Sequence, residues 1–188
     1  MNIRRHLGVA LLVCAVALMA RCAAKPAPPP ALALTPIVSV KELMETIVDP
    51  NADVIFDSVV TDVSAKGIVD TKPTSEEDWI KVERALVTLA EVTNLIKMPR
   101  QIAPAGETNA PPAELTPQQI LAKVDGDRAE WARYADALRD VAVKGIAVAK
   151  AKDVNGVFEL GGAIDQACEN CHLEYWYPGD KKAQGGFR

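Results

Sequence analysis

Apolar residues recurring every three or four positions, in four stretches punctuated by proline, restrict this chain to a helical fold more than any other feature. The first stretch runs from about Ser39 to Val60, with Val40, Leu43, Met44 and Ile47 in helical spacing. Ser39 followed by Glu42 forms the pattern of a capping box. Pro50 interrupts the pattern, either kinking the helix or opening a new one capped by Asp49, before Val54, Ile55 and Val59 resume the stripe. The second stretch runs from about Ser75 to Met98 on Trp79, Val82, Leu86, Leu89, Thr93 and Ile96, and Pro99 stops it. The third starts at Thr116-Pro117 and reaches Lys152, with Val124, Trp131, Leu138 and Gly145 seven apart. The fourth runs from Asp153 to about Trp176 and carries Val157, Gly161, Ile164, Cys168, Cys171 and Tyr175 on one face. No stretch alternates convincingly enough to be a strand. Residues 100–116 form a long Pro-containing connection. The expected fold class is all-α, an antiparallel four-helix bundle over residues 37–188.

Residues 1–24 have the form of a secretory signal peptide. Arg4 and Arg5 precede an uncharged apolar run, Leu7 to Ala20, that is short for a membrane span, and Cys22-Ala23-Ala24 offers small residues for cleavage. Residues 25–36 are a Pro-rich, solvated linker. The expected location is periplasmic. Cys22 followed by that linker also leaves open a lipoprotein anchored through Cys22, although Arg21 stands where such sites want a small residue. Removing residues 1–24 takes Arg4, Arg5 and Arg21 from the 21 basic residues and none of the 25 acidic ones, leaving a net charge of −7. That balance speaks against nucleic-acid binding, which needs Lys and Arg at phosphates. It suits a basic protein partner.

Cys168-Glu169-Asn170-Cys171-His172 is a C-x-x-C-H motif, the attachment pattern of a covalent haem c. Two thiols three residues apart lie on one side of a helical turn, where both can bond the vinyl groups along one porphyrin edge. The adjacent His172 then serves as proximal iron ligand. A redox dithiol would want the pair at a helix start after a strand. A structural zinc site wants four ligands, and the chain without residues 1–24 offers only Cys168, Cys171 and His172. Gly161 and Gly162, about two turns upstream, either admit a close neighbouring helix or are a local weak spot.

With His172 the only histidine left after cleavage, bis-His ligation within one chain is excluded. Met, Lys, water or an open sixth position remain. Met44 near the start of the first helix and His172 near the end of the fourth fall nearly level in an up-down-up-down bundle. Met98 lies at the same end, beside Pro99. Either Met could instead be core packing.

The run C-E-N-C-H-L-E-Y, Cys168 to Tyr175, on the last of four helices resembles the class II cytochromes c, the cytochrome c′ family. The resemblance implies thioethers at Cys168 and Cys171 and proximal ligation by His172. In low-spin members a Met from the first helix is the sixth ligand, and Met44 stands in that place. High-spin members leave the site open and bind NO or CO. Trp176, where the family often has Arg or Lys, and the Tyr175-Trp176-Tyr177-Pro178 tail depart from the pattern. The expected function is one-electron transfer with one haem c and His/Met ligation. The alternative is a gas-binding protein with an open sixth site. No enzymatic activity is expected, since a peroxidase-like site lacks a second histidine. A homodimer stays open, as members of the family are often dimers.

Overall fold

A computed structural model describes residues 34–179, so the expected signal peptide 1–24, Cys22 and most of the expected linker 25–36 lie outside the described residues. The described residues fold into five helices and one two-stranded hairpin. Helix α1 is continuous through three pieces: α-helical Val40–Leu43, a π-helical turn Met44–Val48, and α-helical Asp49–Phe56. Strands β1 (Val60–Ser64) and β2 (Gly67–Thr71) follow, then α2 (Glu76–Lys97), α3 (Pro117–Gly126), α4 (Arg128–Lys150) and α5 (Val154–Tyr175). Among the described residues no helix is long and apolar enough to cross a membrane.

Capping boxes start α1, α2 and α3, at Ser39/Glu42, Ser75/Asp78 and Thr116/Gln119. Each satisfies helix-start N–H groups that have no intrahelical acceptor. The long connection after α2 completes the start of α1: the N–H groups of Val40 and Lys41 donate to the carbonyls of Gln101 and Ile102, both at 2.9 Å. Ile102 is itself buried there.

α2 packs chiefly on α4, α4 on α5, and α1 on both α2 and α5, so the four close a ring around one apolar core. Leu86, Leu89, Ala142 and Ile164 are fully buried in it. The ring is tight where α4 passes α2 and α5. A Cβ on Gly145 would stand 2.5 Å from Leu160 Cδ2 and 2.8 Å from Leu86 Cδ2. Short α3 covers one end, touching α4 and α5.

Three expectations fail here. The first helix ends at Phe56 rather than near Val60, and Asp49 is no cap: the helix runs through Pro50, with the extra width of a π turn just before it. Pro50 lacks the N–H an α-helix would aim at the carbonyl four residues back, and its ring crowds that carbonyl. Residues 60–71 form an antiparallel hairpin, pairing Val60 with Thr71 and Ser64 with Gly67. Gly67, at φ +121°, makes the turn in a region that strains other residues. Every hairpin residue is exposed. The third expected helix is two, because Asp127 leaves helical geometry (φ −147°) and caps α4, its carboxylate accepting from the Glu130 N–H at 2.9 Å.

Candidate functional site

Helix α5 is regular from Val154 to Tyr175, so Cys168 and Cys171 fall on one side of it, and His172 follows on the adjoining side. Its C-terminal end is clamped. Tyr175 is buried to 1% exposure and meets Trp131 and Tyr134 of α4 edge-on, at centroid distances of 4.9 and 5.8 Å. Lys123 of α3 lies 5.4 Å over the Tyr175 ring and pairs with Glu174. The Trp176 carbonyl accepts from the Leu115 N–H at 2.7 Å, and Tyr177 Oη donates to Glu169 at 2.7 Å. Trp176, half-buried against the core, closes this helix end.

Cys168, Cys171 and His172 open into one cleft that encloses about 190 Å³ and widens to about 880 Å³ with its open mouth. To the same lining α1 contributes Met44, Val48, Ala52 and Phe56, and α4 contributes Trp131, Tyr134 and Leu138. Carboxylates of Asp49, Asp53, Asp165 and Glu169 complete the lining, with no Lys or Arg among the lining residues. Met98 is elsewhere: it ends α2, and its sulfur accepts from Arg100 Nη2 at 3.8 Å. The structure therefore brings Met44, and not Met98, to the same cleft as the C-x-x-C-H residues. Of the two glycines upstream, Gly161 faces Phe56 of α1, whose Cδ1 would lie 3.6 Å from an added Cβ, while Gly162 has open space.

The electrostatics are unlike those of a reactive dithiol. Both cysteines are free thiols. Burial pushes Cys171 up to about 12 and Cys168 up to about 11, and Asp165, Asp49 and Glu169 raise Cys168 further. A redox-active pair is driven the other way, toward thiolate. Burial also lowers the His172 pKa, against the opposing pull of Glu169, Asp49 and Asp165, which favours the neutral imidazole that a metal needs. Burial raises the Asp49 carboxyl, and the His172 charge opposes that shift. Among the described residues no group of three or more His, Cys, Asp or Glu is arranged to hold a bare metal ion.

Trp131, Tyr134, Asp49 and Asp53 were not among the candidates read from the sequence. Asp49 and Asp53 carried a readable signal, acids four apart on one helix face, but nothing local ties that face to α5. Comparison with protein-family models, with curated proteins and with solved structures found no match to this chain.

Proposed function

We propose that this chain is an exported c-type cytochrome of the class II kind, an antiparallel four-helix bundle carrying one haem c and transferring single electrons. The observation that carries the reading is the shared cleft: the Cys168 and Cys171 thiols on one side of α5, the His172 imidazole beside them, and the Met44 thioether from α1 among the same lining residues. That donor set fits a porphyrin. Cys168 and Cys171 would hold it by thioether bonds, His172 would be the proximal ligand and Met44 the sixth. When bound, the haem supplies a one-electron centre whose potential a Met ligand raises relative to a second His. The protein's own part is to fix His172 through the clamped end of α5. Val48, Ala52 and Trp131 exclude water from the cleft. The carboxylate rim presents a negative face to a basic redox partner. The reading places the mature protein in the periplasm, either free or held by a lipid on Cys22.

The test is expression with the N-terminal segment in a host that assembles c-type haem. Denatured protein should keep a haem stain, and Cys168→Ser/Cys171→Ser should lose it. The reduced spectrum should be low-spin and unchanged by CO. A protein without covalent haem sinks the whole reading. A high-spin spectrum that shifts with CO replaces electron transfer by gas binding at an open site.

A further inference from the structure

The π turn in α1 sets which side chain faces the cleft. Successive residues of an α-helix advance by about 100°. On that count Val48 and Phe56 stand about 40° to either side of Ala52, and all three line the cleft. An uninterrupted α-helix would put Met44 about 80° off that direction and Glu45 within about 20° of it. The structure has the opposite: Met44 lines the cleft and Glu45 is exposed. The cause is the turn Met44–Val48, in which the Asp49 N–H donates to the Met44 carbonyl five residues back. It absorbs one surplus residue and shifts everything before it by one position, about 100°. The first half of α1 is pinned in this shifted register, with Val40 and Leu43 buried at 2% and 1% and the N–H groups of Val40 and Lys41 bonded to Gln101 and Ile102. Pro50 supplies a local reason for the wide turn, since an α ladder through it would leave the Thr46 carbonyl without a donor and in collision with the ring.

We propose that this π turn is a positioning device that brings a thioether, rather than the carboxylate of Glu45, to the sixth coordination position. The inference rests on the His/Met reading above. Two variants test it beside wild type and Met44→Ala, read by the reduced spectrum with and without CO, by haem content and by helicity. Met44→Ala should become CO-reactive. Met44→Ala/Glu45→Met should stay CO-reactive, because residue 45 points away. Deleting exposed Thr46 together with Pro50→Ala removes the surplus residue and lets a plain α turn form. Met44 then keeps its direction, and the spectrum should stay low-spin and CO-inert. Rescue by Glu45→Met overturns the proposal. So does a straightened variant that turns CO-reactive or loses haem or helicity, because the surplus residue would then serve something else. A wild type that itself binds CO sinks the His/Met ligation and the inference together, whereas a CO-inert wild type with either variant misbehaving sinks the inference alone.

Discussion

Helices α1 and α2 begin alike and end up serving different purposes. Each opens with a serine cap and an acidic residue three positions on. α2 then runs 22 residues without interruption and buries Trp79, Val82, Leu86, Leu89, Thr93 and Ile96 along one stripe. Its one fully buried hydroxyl, on Thr93, donates to the Ala90 carbonyl at 2.7 Å. α1 buries less, changes helical register at its middle, and turns half-buried Met44 and charged Asp49 and Asp53 to the cleft. Between these two helices, the departure from regular geometry falls in the one that contributes more of the cleft lining.

That contrast is broken if the two helices respond equally to truncation. Leu86→Ala should cost about 2–5 kcal/mol in urea unfolding, since Leu86 is fully buried beneath Gly145. Met44→Ala should cost about 1 kcal/mol or less, because Met44 is only partly buried, while on the proposed His/Met ligation it should change the reduced spectrum outright. A Met44→Ala loss as large as that of Leu86→Ala would make Met44 a core residue first.

How far each helix could be read from sequence follows the same division. The stripe of α2 is legible because every member is a sizeable side chain at three- or four-residue spacing, and all are buried. The C-x-x-C-H residues are legible because their chemistry is local to one turn. In α1 the buried series is Val40, Leu43, Val48, Ala52 and Ile55. The five-residue step from Leu43 to Val48 is the mark of the π turn, but Ile47 beside it offers a regular step and hides the surplus residue. The hairpin is not legible in the sequence for another reason. Neither face is buried, so no alternation of polar and apolar residues was required, and Val59-Val60 extends the helical stripe by coincidence. The break before α4 was written in Gly126-Asp127 with Glu130 three on, and the heptad through Trp131 masked it. The aromatic wall of the cleft, Trp131 and Tyr134, depends on which helices become neighbours, and no local pattern encodes that.

The two caps sharpen the comparison at a smaller scale. Ser39 is 5% exposed, and its hydroxyl accepts from the Glu42 N–H at 3.2 Å while donating to the Glu42 carboxylate at 2.6 Å. Ser75 accepts from the Asp78 N–H at 3.1 Å on an exposed helix end. Ser75→Ala should cost about 1 kcal/mol, as at an ordinary cap. Ser39→Ala should cost about 1–2 kcal/mol, because water cannot easily replace the lost hydroxyl at a buried end. Equal losses in chemical unfolding would mean that the 100–116 connection, not the serine, holds the start of α1.

The smallest effect is on acid stability. The N–H groups of Thr74 and Ser75 donate to the Asp78 carboxylate at 3.0 and 2.9 Å and hold its pKa down to about 2. The Ser39 hydroxyl and N–H lower Glu42 in the same way. Unfolded Asp and Glu titrate near ~3.9 and ~4.3. A carboxylate whose folded pKa is depressed binds fewer protons folded than unfolded through that interval, so stability falls as pH falls. The contribution of each group is complete above about pH 5, and that of Asp78 is gone only once the pH has fallen through about 2. Melting temperatures of wild type and Asp78→Asn should differ at neutral pH and converge as the pH drops toward that value, with Glu42→Gln behaving likewise at the start of α1. Both groups face solvent, so the difference should also shrink with added salt. Curves that stay parallel in acid would show that the Asp78 side chain acts by shape and neutral hydrogen bonding, not by its charge at the positive end of α2.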